Sequence, residues 1–229
     1  GGVHGFDQKV WDAIEEGTDS EPSLVLSITS EDGEEGFPGN LDVTVTYTLT
    51  KNNSLIINYK AKSDADTVCN MTNHSYFNLA GHDSGVIDDQ VLWINSSFYT
   101  PNDSEGMPTG EVLSVAGTPF DYRAPKPIGQ DIAADFEQIQ MYNGFDHNYM
   151  ISGRGYRKAA EAKCLENGIG MEVYTDQPAM QLYTSNGLPE GIYKNGAEYK
   201  IHQASCLETQ CVPNAMEFSH YPGPVLKKK

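Results

Sequence analysis

Three polar clusters in this chain carry side chains able to move protons. The first is NMTNHSYFNL, Asn70 to Leu79, in which Asn73, His74, Ser75 and Tyr76 are consecutive. A histidine changes charge near neutral pH, so it can give or take a proton during a reaction. It can equally be a structural residue hydrogen-bonded at a strand end. The second cluster is YNGFDHNY, Tyr142 to Tyr149, with Asp146 and His147 side by side. Neighbours on a strand point to opposite faces and cannot easily share a pocket, whereas in a turn they can. Asp146 either accepts hydrogen bonds from vicinal hydroxyls, orients His74, or caps its own backbone in a turn. His147 is a metal ligand in principle, but no partner stands at ligand spacing.

The third cluster is CLETQ, Cys206 to Gln210. Glu208 stands in a neutral, partly apolar stretch, where poor hydration would raise its pKa toward general-base range. The alternative is an edge-strand glutamate facing water. DQPAMQ, Asp176 to Gln181, adds amides, of which Gln181 is the more interesting. His, Asp and Glu lie tens of residues apart, which points to one concave site assembled from several strands. No serine triad is indicated, since Ser75 lacks the G-x-S-x-G context. There is no G-x-G-x-x-G after a strand, no P-loop, no H-E-x-x-H and no EF-hand loop. The 13 Tyr, 8 Phe and 2 Trp suit sugar stacking and core filling alike.

The elements that must position these groups read as strands. LDVTVTYTLT, Leu41 to Thr50, alternates Leu41, Val43, Val45, Tyr47 and Leu49 with a Thr-rich face, the period of a half-buried strand. LIINYKA, Leu55 to Ala61, follows the turn residues KNNS and should pair with it. Further strands are expected at Leu24 to Thr29, Gln90 to Ile94, Glu111 to Val115, Ala159 to Leu165, Gly170 to Tyr174, Gln181 to Thr184 and Ala204 to Thr209. One short helix is expected at Asp131 to Phe136. Short Gly-punctuated strands with little helix favour an antiparallel sandwich or barrel, read as a single domain over residues 1–229.

Composition narrows the partners. A formal charge of -17 opposes nucleic acid and anionic membranes. No apolar run approaches the roughly 20 residues of a membrane helix, and no signal peptide is evident. Cys69, Cys164, Cys206 and Cys211 include no C-x-x-C pair, which suits thiols in a reducing compartment and a cytoplasmic protein. The chain opens on Gly1 without an initiator Met, so a processed or trimmed start is expected.

Taken together, the clusters resemble the aldose 1-epimerase (galactose mutarotase) family. The matching stretches are GGVHGFDQKVW (1–11), DGEEGFPGNLDVTVTYTL (32–49), TNHSYFNLAGH (72–82), PTGEV (108–112), GTPFDYR (117–123), NGFDHNY (143–149), VYTDQPAMQLYTSN (173–186) and LETQCVPNA (207–215). They occur in the family's order, and together they are highly specific. The resemblance implies an all-β fold, a large antiparallel β-sandwich of the galactose mutarotase type, incomplete at both ends. It implies interconversion of the α and β anomers of free aldohexoses such as galactose and glucose, with no metal or organic cofactor and a monomer or homodimer. It makes His74 the general acid at the ring oxygen and Glu208 the general base at the C1 hydroxyl, on opposite sides of the ring. Asp146 and Gln181 become the groups that bind sugar hydroxyls, and Ser75 and Tyr76 line the cleft.

The family's upstream Asn-Arg pair and substrate-binding His have no counterpart in this chain, and His4 does not occupy that histidine's position. The chain also stops at PGPVLKKK, before the family's last strand. Three other readings compete: a non-catalytic carbohydrate-binding or sugar-sensing module, an epimerase of phosphorylated hexoses using Arg123 and Lys126, and a glycosidase. The last would want two carboxylates rather than a His–Glu pair.

Overall fold

The computed structural model describes residues 2–229. In chain order its strands are β1 Asp12–Thr18, β2 Glu21–Ser30, β3 Leu41–Leu49, β4 Leu55–Ser63, β5 Thr67–Val68, β6 Val91–Ile94, β7 Ser96–Thr100, β8 Leu113–Ser114 and β9 Lys126–Pro127. They continue with β10 Asp146–Ile151, β11 Arg157–Lys163, β12 Gly170–Thr175, β13 Ala179–Tyr183, β14 Gly191–Ile192, β15 Glu198–Tyr199, β16 Cys206–Gln210 and β17 Val225–Leu226. One α-helix, α1, spans Glu137–Tyr142. No helix among the described residues is long and apolar enough to cross a membrane. The chain divides into two compact units, one formed by residues up to 71 together with 224–229, the other by residues 72–223.

The first unit is an antiparallel meander in the order β1-β2-β3-β4. The alternation read from the sequence sets its register. Val43 stands opposite Ile28 and Ala61, and Val45 opposite Leu26 and Tyr59. Leu41, Val43 and Val45 are buried on that face and pack with Phe6, Trp11, Met71 and Leu226. The expected hairpin is present, and Asn53 takes a left-handed conformation in its turn (φ 59°). Strand β1 was not legible in the sequence. It is exposed along its whole length, so no alternation marks it.

The second unit contains a five-stranded sheet, β16-β13-β10-β7-β8, a four-stranded sheet, β12-β11-β6-β9, and a small hairpin, β14-β15. Every pairing is antiparallel. Its core takes Tyr99, Tyr149, Met180, Leu182 and Leu207 from the larger sheet and Leu92, Ile94, Ala160 and Ala162 from the smaller. Phe120 fills the centre, stacked on Tyr99 with ring centroids 4.2 Å apart and edge-on to Phe145 at 5.6 Å. Two sheets sharing one apolar layer make a sandwich.

The helix expected at 131–136 lies one step further on, at Glu137–Tyr142. Ile132 and Phe136, four apart, do fit a helical stripe. Ile132 is instead buried in a turn, while Phe136 is extended (φ -141°, ψ 125°) with its ring edge-on to Phe120. Tertiary packing of these two side chains overrides the local pattern and delays the helix.

Candidate active site

Strands β10, β13 and β16 are neighbours, and their register builds one polar surface. Asn148 pairs with Gln181, which pairs with Glu208; Asp146 pairs with Tyr183, which pairs with Cys206. Residues two apart on a strand share a face, so Asp146, Gln181, Tyr183, Glu208 and Gln210 all stand on the same side. The entry to β10 is fixed by the Asn143–Gly144 turn. Asn143 is left-handed (φ 53°) and Gly144 has φ 142°. A Cβ on Gly144 would stand 2.3 Å from Asn186 Oδ1, so only glycine lets β10 begin there.

His74 is brought to this surface from a different stretch. Phe77 and Ser205 form an isolated antiparallel bridge, each N–H donating to the other's carbonyl at 2.9 Å. That bridge ties the segment three residues after His74 to the residue just before β16. Asn78 reinforces it, its Nδ2 donating to the Gln203 carbonyl at 2.8 Å and to that of Gly85 at 2.9 Å. His74 Nε2 consequently lies 3.4 Å from Glu208 Oε1. The two groups expected to act on a sugar ring thus stand side by side.

An open cavity of about 390 Å³ is lined by His74, Tyr76, Asp146, Gln181, Tyr183, Glu208, Gln210 and Pro213. Five of the six residues expected from the sequence therefore meet in it. Ser75 does not line it; its backbone N–H donates to Asn73 Oδ1 at 3.2 Å. Tyr183, Gln210 and Pro213 were not anticipated. The period of two would have found the first two, at i+2 from Gln181 and from Glu208. The rings of His74, Tyr76 and Tyr183 cluster, with centroids 5.2, 6.0 and 6.3 Å apart. His147, the neighbour of Asp146, faces the core instead. Its Nε2 hydrogen-bonds Gln138 Oε1 at 3.0 Å, its Nδ1 accepts from the Asp146 N–H at 3.2 Å, and Phe120 and Tyr142 pack on its ring.

The electrostatics follow from burial. Glu208 is nearly buried, and desolvation pushes its carboxyl up to about 7; His74 opposes the shift and Asp146 adds to it. Desolvation also raises Asp146, against the hydrogen bond from Gln181 Nε2 (2.8 Å to Oδ1) and the nearby His74. Gln181 Oε1 has no hydrogen-bond donor among the described residues. The site thus holds a carboxyl poised near neutrality beside an imidazole, with a carboxylate–amide pair next to them. Three of its groups, His74, Cys206 and Glu208, bring potential metal-ligand atoms within 4.8 Å of one another.

Comparison with known proteins fits this geometry. The profile of the family "Aldose 1-epimerase" matches residues 1–229. The chain is 44% identical over 231 residues to the galactose mutarotase of Homo sapiens, covering 99% of this chain and 64% of that protein. Among solved structures, galactose 1-epimerase from Lactobacillus acidophilus superposes with a TM-score of 0.86 at 31% identity, covering 98% of this chain and 64% of that one. An aldose epimerase homologue from C. elegans gives 0.87 at 27% identity, over 99% and 67%. The chain spans about 64% of the length of the curated relatives it matches. With its all-β sandwich and the match along its whole length, the chain belongs to the aldose 1-epimerase family.

Proposed function

We propose that this protein is an aldose 1-epimerase that interconverts the α and β anomers of free aldohexoses such as galactose and glucose. The observation that carries the reading is the His74–Glu208 pair, 3.4 Å apart in the lining of an open cavity. The ring oxygen and the C1 hydroxyl of a pyranose are bonded to one carbon. Groups that serve both oxygens must lie close together, which is how this pair is arranged.

In the proposed reaction Glu208 takes the proton of the C1 hydroxyl while His74 protonates the ring oxygen. The C1–ring oxygen bond breaks and the C1–O1 bond becomes a carbonyl. Rotation about C1–C2 presents the other carbonyl face. His74 then takes back the proton from the C5 hydroxyl, Glu208 returns its own to O1, and the ring closes as the other anomer. The same two groups act as acid and base in turn, so each should release and accept a proton with similar ease. A carboxyl raised to about 7 meets that need for Glu208. Asp146 and Gln181 hold hydroxyls away from C1, Asp146 as acceptor and Gln181 through its unpartnered Oε1. Tyr76 and Tyr183 offer ring faces to the sugar's C–H surface.

The phosphorylated-hexose reading loses its support. Arg123 is paired with Asp121 at 2.7 Å and Lys126 with Asp131 at 2.6 Å, and neither lines the cavity. Cytoplasmic residence is proposed alongside the activity, since the buried Cys164 and Cys206 are free thiols, as a reducing compartment keeps them.

The test is polarimetry of freshly dissolved α-galactose with this chain and with Glu208→Gln. Rapid decay of rotation that disappears in the variant is the expected result. Decay no faster than buffer from folded wild-type protein would overturn the activity. Sugar binding without acceleration would instead mark a binding module.

A further inference from the structure

Cys206 is wholly buried, two residues before Glu208 and on the same face of β16. The epimerase chemistry uses the imidazole of His74 and the carboxylate of Glu208 and leaves this thiol idle. We propose that His74, Cys206 and Glu208 together form a binding site for a borderline-soft divalent cation of the zinc type, and that its occupancy blocks the proton-transfer pair. The binding stands by itself; the blocking rests on the epimerase reading.

Donor chemistry and geometry both point this way. One nitrogen, one sulfur and one carboxylate oxygen lie within 4.8 Å of one another. A mixed N, S, O set suits zinc, whereas magnesium and calcium prefer oxygen ligands alone. A tetrahedral zinc ion with ligand bonds of about 2.0 Å to nitrogen and oxygen holds those two atoms about 3.3 Å apart. His74 Nε2 and Glu208 Oε1 are already 3.4 Å apart. The sulfur has only to close in beneath them, and three protein ligands leave a fourth position open to water. The half-exposed His74 side chain gives the ion its route from the cavity. On binding, the thiol proton leaves to solvent and the thiolate takes its place as ligand. Nδ1 of the imidazole is untouched, but the Nε2 lone pair and the carboxylate are both committed to the metal. Neither can then receive a proton.

The site is tested on the whole chain with cobalt(II) chloride as a spectroscopic probe and zinc chloride as the competing ion. Cys206→Ser is nearly isosteric, and Cys206 does not line the cavity, so the variant should fold and retain mutarotation. Wild-type protein should show a sulfur-to-cobalt charge-transfer band that the variant lacks. Partners outside the coordination sphere alone change metal affinity about 10- to 100-fold, so losing a direct ligand should weaken zinc binding by about tenfold or more. Glu208→Gln should weaken it as well. Zinc should stop wild-type mutarotation, a chelator should restore it, and the serine variant should need about ten times more zinc for the same effect. An equal cobalt band, or equal zinc affinity, in wild type and Cys206→Ser overturns the site. Metal binding that depends on Cys206 in a protein with no mutarotation when metal-free upholds the site and overturns the epimerase reading.

Discussion

Along β10 successive side chains enter two different environments. Asp146 and Asn148 belong to the polar face, in line with Gln181 and Glu208 across the sheet. His147 and Tyr149 belong to the apolar face, among Tyr99, Phe120, Met180 and Leu182. Both faces hold titratable groups removed from water, and burial moves both away from their ordinary values. The carboxyl of Glu208 rises to about 7 and the imidazole of His147 falls to about 3. The difference is in what surrounds them. His147 has a hydrogen-bond partner at each ring nitrogen and is held neutral. Glu208 has an imidazole 3.4 Å away and an open cavity above, and is held near the midpoint of its titration. Burial with every polar atom satisfied gives a rigid strut; burial beside a cavity gives a group able to exchange protons.

This contrast is sharpest where activity and stability should separate. Glu208→Gln should reduce turnover by about 10²–10⁴-fold, the contribution of one positioned acid–base group. The same variant should be more stable than wild type at pH 8. A carboxyl whose folded pKa is raised favours the folded state only while protonated, so its burial penalty grows as pH rises from about 4.5 through about 7. The gain at pH 8 should be about 3 kcal/mol and should vanish near pH 4. For the same reason wild-type activity should fall as pH drops below about 7. Denaturant melts at the two pH values, with polarimetry alongside, check all of this; a variant less stable at pH 8 would break the contrast.

The opposite pattern should follow on the apolar face. His147→Ala should cost about 3 kcal/mol of stability, from a cavity plus the orphaned Asp146 N–H, while Gln138 Oε1 keeps the Asn102 N–H; kcat should change little while the protein is folded. Wild type should also lose stability as pH falls from about 6.5 toward about 3, because only the unfolded chain accepts a proton on His147 there. The alanine variant should lack that part of the slope, as acid titrations followed by circular dichroism would reveal. Retained stability with lost kcat would place His147 in the chemistry.

Smaller effects should grade the polar face itself. Asp146→Asn should raise KM for galactose about tenfold with less change in kcat, the signature of lost binding rather than lost chemistry. Gln181→Leu should raise KM only a few-fold. Loss of its 2.8 Å hydrogen bond also leaves His74 as the remaining influence that lowers the Asp146 pKa, so that pKa rises further and the residual activity should shift to higher pH. A kcat effect larger than the KM effect in either variant would move that residue from binding into the proton transfer.

What the sequence showed, and what it hid, follows from the same two faces. The hairpin 41–63 was legible because it is buried on one side only, and one-sided burial writes alternation into the residues. Strand β10 was not, because Asp146, His147, Asn148 and Tyr149 include polar groups on both faces. His74, Asp146, Gln181 and Glu208 were legible through the family's motifs. Their 3.4 Å and 2.8 Å contacts were not, since those depend on the Phe77–Ser205 bridge and the β10-β13-β16 register, which link distant segments. Tyr183 and Gln210 needed only the strands to be recognised. Cys206 looked unremarkable beside Glu208 until the sheet put both on the side facing His74.

The site's parts also appear on the chain in a set order, with His74 first, then Asp146, then Gln181, and Glu208 last, more than half the chain after His74. Among the described residues, the strand that carries Glu208 has β13 as its one neighbour and sits at the edge of its sheet. During synthesis or refolding His74, Asp146 and Gln181 can therefore be in place while Glu208 is still missing. Long-range pairings of this kind close late, because loop entropy must be overcome before any contact rewards it. Mutarotation recovered over time should act as a clock for the docking of β16, starting only after the spectroscopic signals of the local hairpins have settled.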